Sequence, residues 1–151
     1  MNNNYEYFET MADMGIIGKG NNLEEAFINC AKALTNLMVD INTIEHKIKK
    51  EFTIESDDLE GLLYDFLTEL LILLDSEYLI FSKFKLEINK INKSNNNNNN
   101  YKYILHCVAY GEKLNKIKHN GKEEVKAITY HKMEIKKDEN NKYIIKLIVD
   151  L

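Results

Sequence analysis

The order of its hydrophobic periodicities constrains this chain most. Two helical stripes lie in the first half, and strand-like patterns fill the second half. From Tyr78 onward no helical stripe interrupts the strands, so the chain lacks the alternation of strand and helix that builds a parallel sheet. The sequence therefore predicts an α+β fold, in which mainly antiparallel or mixed β-sheet structure packs against two amphipathic helices.

Each predicted helix begins at a capping residue and continues as an apolar stripe. The first, at about 22–39, starts at Asn22 with Glu25 three residues later, which is the spacing of a capping box. The second, at about 57–76, starts in the run from Ser56 to Asp58, whose side chains can cap free amide groups. Its apolar arc is wide enough to imply burial on more than one side.

Several segments have the alternation or the composition typical of strands. A polar stretch at 137–142 separates the last two of them, as in the turn of an antiparallel hairpin. The predicted strands are 5–10, 15–19, 44–54, 79–91, 101–110, 125–136 and 143–149.

A chain of 151 residues can bury enough surface to fold as a single domain, 1–151, without disulfide bonds or a structural metal ion. Within it, 92–100 contains a run of Asn without apolar content and is predicted to be a flexible Asn-rich hairpin insertion.

Cys30 and Cys107 lie in apolar periodic segments without a CxxC spacing, which indicates buried free thiols rather than a zinc or redox site. No stretch resembles a membrane span or a signal peptide, so we expect no membrane partner and a cytoplasmic location, with a nuclear pool also compatible.

Charge argues against direct binding of nucleic acid. The chain has 20 lysines, no arginine and 24 acidic residues, for a net charge of −4. Arginine is the residue that binds phosphates and guanine edges through two parallel hydrogen bonds. An acidic chain also gains little binding free energy from counterion release unless its lysines cluster on one surface. A local patch is conceivable, but a solvated loop is the favoured interpretation of its members, which are Lys113, Lys116, Lys118, His119 and Lys122.

Catalytic motifs are mostly absent. The chain has no dinucleotide-binding, Walker, nucleophile-elbow or zinc-protease signature, and its four histidines are scattered at 46, 106, 119 and 131. The glycine-rich stretch 15–20 resembles a phosphate-binding loop only in composition, and a turn between strand and helix explains it better.

Two aspartates lie where a carboxylate is unusual. Asp13 stands between apolar residues after the first predicted strand, and Asp150 follows the apolar run 143–149 and precedes Leu151. A carboxylate at the end of such a strand is costly to desolvate unless it is paired or bound to a metal. If the first and last strands pair, both carboxylates converge with the terminal one, and such oxygen ligands favour Ca²⁺ or Mg²⁺ over zinc. The alternative is an aspartate that only caps a turn.

Blocks of sequence along nearly the whole chain resemble the archease family, the small accessory proteins of the RtcB-type RNA-splicing ligase. The blocks keep the family's order and approximate spacing. They are Ala12-Asp13-Met14-Gly15, Leu23-Glu24-Glu25-Ala26-Phe27, Asp58-Leu59-Glu60-Gly61-Leu62-Leu63, Glu69-Leu70-Leu71, Tyr110-Gly111-Glu112, Glu124-Val125-Lys126-Ala127-Ile128-Thr129-Tyr130-His131 and Ile148-Val149-Asp150-Leu151.

The resemblance implies an archease-like domain that activates a GTP-dependent tRNA-splicing RNA ligase without catalysing a reaction itself. It implies that Asp13, Asp150 and Leu151 bind a divalent cation, usually calcium, with Mg²⁺ or Mn²⁺ as alternatives. RNA would then be contacted only through the RtcB-type ligase. Lys126 and His131 are candidates for functional support, with a structural salt bridge and an orienting hydrogen bond as the respective alternatives.

The chain departs from the family pattern beside this site. It has Thr10-Met11 where the family often has His-Thr, and Lys132 where an aspartate is common. Two other functions stay open. The same carboxylates could serve a metal-dependent phosphoester hydrolase, or the protein could be a general chaperone or adaptor.

Overall fold

The computed structural model describes residues 4–92 and 100–151. In chain order its elements are β1 (Tyr5–Glu9), β2 (Asp13–Gly20), α1 (Leu23–Met38), a 3-10 helix (Ile41–Thr43), β3 (Ile48–Ser56), α2 (Leu59–Glu77), β4 (Leu79–Asn92), β5 (Tyr101–Lys113), β6 (Ala127–Ile128), β7 (Glu134–Lys137) and β8 (Tyr143–Asp150). The predicted insertion at 92–100 falls mostly on 93–99, outside the described residues, and stays a prediction.

The strands form two antiparallel sheets. The first has the order β1-β2-β8-β6, and β7 pairs with β8 on the same side as β6. The second has the order β3-β5-β4. α1 contacts strands of both sheets, whereas α2 packs on the second sheet and touches β6 and β7 of the first. The predicted α+β fold with two helices and antiparallel sheets is confirmed.

Both helices begin as the sequence predicts. The Asn22 side chain accepts a hydrogen bond from the amide of Glu25 at 2.8 Å, and the Asp58 side chain accepts one from the amide of Gly61 at 2.6 Å. α2 ends at Tyr78, which takes a left-handed conformation with φ of 57° and donates its amide to the Leu74 carbonyl. No helix in the described residues has the length and hydropathy needed to cross a bilayer.

Phe66 of α2 lies at the centre of the core and is fully buried. Its ring centroid is 6.2 Å from those of Phe27 in α1 and Phe52 in β3, and 6.4 Å from that of Phe84 in β4. One aromatic cluster therefore joins both helices to the second sheet. Around it, Cys30 and Cys107 are buried free thiols, as predicted.

The predicted strand at 125–136 is wrong as a single element. The structure divides it into β6 and β7, with a tight turn between them in which the Met133 amide donates to the Tyr130 carbonyl at 3.1 Å. Lys132 has a positive φ of 54°, which a continuous strand does not allow. The strand predicted at 44–54 begins later, at Ile48, and ends at Ser56, and residues 41–43 before it form the 3-10 helix.

Candidate functional site

Asp13 lies directly opposite Asp150 in the register of β2 and β8. Opposed residues of an antiparallel pair extend from the same face of the sheet, with Cβ atoms about 4.5–5.5 Å apart. From the sequence, convergence of the two carboxylates required that the first predicted strand pair with the last. In the structure Asp13 opens the second strand instead, and that strand makes the pairing.

The two aspartates place two carboxylates at one edge of the sheet. Asp13 is partly buried and Asp150 is exposed. Within the described residues no lysine or histidine forms an ion pair with either carboxylate. Like charges directly opposite each other destabilise a sheet, so a bound cation would stabilise this pair.

An apolar surface adjoins the carboxylates. Gly15, two residues after Asp13, lies opposite Phe8 on one side and Ile148 on the other. A Cβ at Gly15 would overlap the Phe8 ring, so the glycine is what lets the ring cover this part of the sheet. Ile148 is buried although it faces away from the helices. This apolar surface stops short of the aspartates, since Asp150 itself is exposed.

β6 holds the Val-Lys-Ala block beside the second aspartate. Ala127 is the register partner of Asp150 on the side away from Asp13, and the Lys126 amide donates to the Asp150 carbonyl at 2.8 Å. The Lys126 side chain is exposed and has no ion pair with a described residue. The main chain of Lys126 is therefore fixed at this edge while its ammonium group stays free.

The available donors suit a hard cation. Across residues 4–92 and 100–151, no group of three or more His, Cys, Asp or Glu side chains could hold a metal ion. The edge offers two aspartate side chains, with the main-chain carboxylate of the partly buried Leu151 one residue beyond Asp150. Such an all-oxygen set fits Ca²⁺ or Mg²⁺, which readily complete their coordination with water or oxygens of a partner.

A family model described as "Archease protein family (MTH1598/TM1083)" matches residues 5–151. The chain belongs to the archease family. It is 45% identical to "Protein archease" of Pyrococcus abyssi over 147 residues, which is 97% of this chain and 98% of the relative. For "Protein archease" of Sulfolobus acidocaldarius the identity is 40% over the same shares. The solution structure of Methanobacterium thermoautotrophicum protein 1598 matches with a TM-score of 0.78 and 34% identity, covering 99% of each chain.

The turn before Asp13 contributes a polar contact to this edge. The Thr10 hydroxyl accepts a hydrogen bond from the Asp13 amide at 3.2 Å and so shapes the entry into β2. Met11 is fully exposed at the tip of this turn. The side chain at 10 thus supports the backbone of the first candidate ligand in this archease.

His131 lies in the exposed turn between β6 and β7. Within the described residues, His131 makes no hydrogen bond to Asp13 or Asp150. The side chain nearby that bonds to β8 is Thr129, whose hydroxyl donates to the Ile148 carbonyl at 2.8 Å. A supporting role for His131 in this archease stays a prediction.

Sequence reasoning missed a buried charged cluster in this archease. Glu112 is 6% exposed and His119 is 0% exposed, although a solvated loop was the favoured interpretation around His119. The His119 Nε2 atom lies 2.9 Å from Glu112 Oε2, and the same oxygen accepts the Glu45 amide at 2.8 Å. Lys118 Nζ lies 2.9 Å from the other carboxylate oxygen. The only hint of this buried cluster in the sequence was the Tyr-Gly-Glu block at 110–112, which contains Glu112.

The cluster controls the ionisation of Glu112 and anchors the segment that follows β5. Burial acts to raise the pKa of Glu112, but hydrogen bonds from the Glu45 amide, His119 and Lys118 outweigh it and lower the pKa to about 2. His119 also accepts the Asn115 amide through Nδ1 at 3.0 Å. A carboxylate that stays ionised inside the protein therefore anchors Lys118 and His119, in the middle of the loop from 114 to 123.

Proposed function

We propose that this archease-family protein activates a GTP-dependent tRNA-splicing RNA ligase and is not itself catalytic. It promotes guanylylation and multiple turnover of an RtcB-type ligase through a divalent cation at Asp13 and Asp150, and RNA is contacted only through the ligase. The observation that carries the proposal is the direct opposition of these two carboxylates at one sheet edge, in a chain of the archease family.

The cation in this proposal is Ca²⁺, with Mg²⁺ or Mn²⁺ as alternatives. When bound, it supplies concentrated positive charge that can stabilise phosphate oxygens. The sheet fixes the backbones of Asp13 and Asp150, so little reorganisation is needed to present both side chains to one ion. The Leu151 carboxylate is the proposed third donor. Because Asp150 is exposed, oxygens of the ligase can complete the coordination.

Lys126 and His131 have supporting roles in this proposal. The amide of Lys126 is held by the Asp150 carbonyl, and its exposed ammonium group can meet a phosphate of the ligase-bound nucleotide. His131, in the turn that follows β6, is proposed as a polar contact at the rim of the same interface.

The accessory role is favoured over a phosphoester hydrolase because a hydrolase needs a general base within hydrogen-bond reach of the attacking water. Among the described residues, no group of three or more His, Cys, Asp or Glu side chains gathers at this edge to add such a base to the two aspartates. A two-carboxylate edge that opens to solvent suits delivery or sharing of a cation with another protein.

The deciding experiment is multiple-turnover RNA ligation by the purified cognate ligase with GTP, with and without this protein. We expect Asp13→Ala and Asp150→Ala to lose stimulation, and the double variant to be little worse because both residues serve one ion. Glu139→Ala is the matched control, since Glu139 is an exposed acid in the turn before β8. Full stimulation by Asp13→Ala would remove the cation from the mechanism.

A parallel arm separates the activator from the hydrolase. This protein alone is incubated with RNA phosphates and Mg²⁺, and the products are followed over time. Turnover without ligase would establish the hydrolase instead. Circular dichroism of each variant confirms that lost stimulation is not lost folding.

A further inference from the structure

The strands at the ends of the two sheets differ in how open they are to pairing. β1 and β6 are short, with five and two residues. β4 is long, but its register shifts between Phe81 and Lys83, and the Glu24 carboxylate accepts a hydrogen bond from the Ile88 amide at 3.4 Å. Irregularities and covering side chains of this kind hinder a further strand from pairing with an edge. These three strands therefore offer little regular edge.

β3 differs from the other end strands. It is the end strand in the order β3-β5-β4, and its nine residues pair with β5 from Ile48 to Ser56 without a shift in register. It contains neither proline nor glycine. Alternate N–H and C=O groups along it face away from β5, and no strand of the described chain pairs with them. β3 thus has a regular edge about 30 Å long that another strand can extend.

The two faces of β3 carry different residues. Ile48, Phe52 and Ile54 lie on the face that packs against the core, and all three stay partly exposed. The opposite face is open to solvent and carries most of the charge of the strand. Its residues are Lys49, Glu51, Thr53 and Glu55. An added strand must therefore match apolar side chains on one face and charges on the other.

A second copy of β3 could pair with this edge in only a few registers. Opposed residues of an antiparallel pair lie on the same face, so a two-fold axis passes between two copies of one residue. An axis at any charged residue of the strand places like charges opposite each other, which destabilises a sheet. An axis at Thr53 places Glu51 opposite Glu55 of the second copy. An axis at Ile54 or at either end leaves part of the strand unpaired.

An axis at Phe52 avoids each of these faults. Phe52 is the middle residue of β3, so all nine residues pair. Each Lys49 then lies opposite Glu55 of the other copy, and the two Phe52 side chains lie opposite each other at the axis. Opposite charges and aromatic pairs in such positions stabilise a sheet. The sequence of β3 is thus complementary to itself in one register.

Ion pairs within each copy place the charges for this register. Lys49 Nζ lies 3.3 Å from Glu51, and Lys102 of β5 pairs with Glu55. Across the interface the charges then alternate in sign, in the order Lys102 and Glu55 of one copy followed by Lys49 and Glu51 of the other. Such a network contributes more than an isolated surface pair. Lys50 lies on the core face, where its Nζ atom is 2.9 Å from Glu77.

We propose that two copies of this protein associate through β3, antiparallel about a two-fold axis at Phe52. The association joins their three-stranded sheets into one continuous six-stranded sheet. The contact is a strand edge rather than a broad surface, so the dimer is weak and reversible, with a dissociation constant below about 1 mM. β3 belongs to the second sheet and the aspartate pair to the first, so this association does not depend on the proposed ligase role.

Sedimentation velocity of the full chain, from about 10 μM to about 1 mM, tests the proposal. We expect wild type to shift from monomer to dimer over this range. Lys49→Glu places acidic side chains opposite each other, and Glu55→Lys does the same with lysines, so each variant alone should dimerise at least about tenfold more weakly. An equimolar mixture of the two variants opposes unlike charges at both contacts and should dimerise as wild type does.

Lys85→Glu is the matched control, because Lys85 lies on the same face of the sheet as Glu51 but on β4. It should dimerise as wild type does, and circular dichroism confirms that each variant is folded. A wild type that stays monomeric at about 1 mM would overturn the proposal. So would unchanged dimerisation of Lys49→Glu alone, or a mixture that associates no better than its components.

A second measurement tests the register without any substitution. In a sample that mixes isotope-labelled and unlabelled wild type, filtered nuclear Overhauser spectra report only contacts between copies. We expect these contacts to join Lys49 of one copy to Glu55 of the other, and Phe52 to Phe52. Contacts centred on another residue, or on another strand, would overturn pairing through β3 in this register.

Discussion

The Nε2 atom of His119 lies 2.9 Å from the Oε2 atom of Glu112, and both side chains are buried. This contact ties the irregular segment after β5 back to the strand itself. The same segment continues into β6, which pairs with β8.

The contribution of Glu112 to stability should depend on pH. Its pKa is about 2 in the folded protein and about 4.3 in an unfolded chain, so its carboxylate stabilises the fold above pH 4.3. That contribution is lost as the pH falls from 4.3 toward 2. We expect Glu112→Gln to lower the free energy of unfolding by roughly 1–3 kcal/mol at pH 6.

Urea unfolding of both proteins at several pH values between 6 and 2.5 measures this effect. The difference between wild type and variant should shrink across the acidic range, and taking that difference removes the contribution of all other carboxylates. A difference that stays constant with pH would show that the charge of Glu112 is not what matters.

Gly111 is irreplaceable for a steric reason. A Cβ at this position would overlap the carbonyl oxygen of Ile80, beside the irregularity in β4 between Phe81 and Lys83. Because that atom belongs to the main chain, the sheet itself must shift. We expect Gly111→Ala to destabilise the protein by at least about 3 kcal/mol in thermal or urea unfolding. The control is Gly121→Ala, whose Cβ meets only the Lys116 side chain and carbonyl at 3.6–3.8 Å, and a similar loss there would contradict the steric explanation.

Leu67 tests the packing of α2. It is fully buried in the core, so Leu67→Ala should leave a cavity and cost roughly 2–5 kcal/mol in the free energy of unfolding. Ile72→Ala, on the exposed side of the same helix, should cost much less. Equal effects of the two substitutions would mean that the burial assigned to the two faces is wrong.

Local signals were enough to predict the helices. Asn22 and Asp58 are capping residues with an apolar stripe behind them, and both make the expected hydrogen bonds. These contacts span three residues, so the sequence nearby contains all the information. The separation of early helices from late strands likewise predicted the α+β class.

Features that depend on distant contacts could not be predicted in this way. The turn from Tyr130 to Met133 contains no glycine, proline or asparagine, so nothing local divides β6 from β7. His119 is buried and bonded to Glu112 on β5, whereas composition alone indicated a solvated loop. The opposition of Asp13 and Asp150 is a matter of strand register, which the spacing of residues does not reveal.

The aspartate pair should cost stability when no cation is present. In chelator, Asp13→Asn removes the repulsion from Asp150, so its melting temperature should equal or exceed that of wild type. Added Ca²⁺ should raise the melting temperature of the wild type and leave that of Asp13→Asn unchanged. Glu139→Gln serves as control and should respond to Ca²⁺ as wild type does. An equal response of Asp13→Asn would place the cation elsewhere.

The pairing of β2 with β8 joins parts of the chain that lie nearly its whole length apart in sequence. Closing so long a loop costs chain entropy before the contacts between the two strands can form. This entropy cost slows the folding of proteins with such distant strand pairings. The second sheet, built from β3, β4 and β5, involves shorter separations and can form first. The two aspartates would then meet only at a late step, so a refolding experiment should show Ca²⁺ slowing unfolding while leaving the rate of folding almost unchanged.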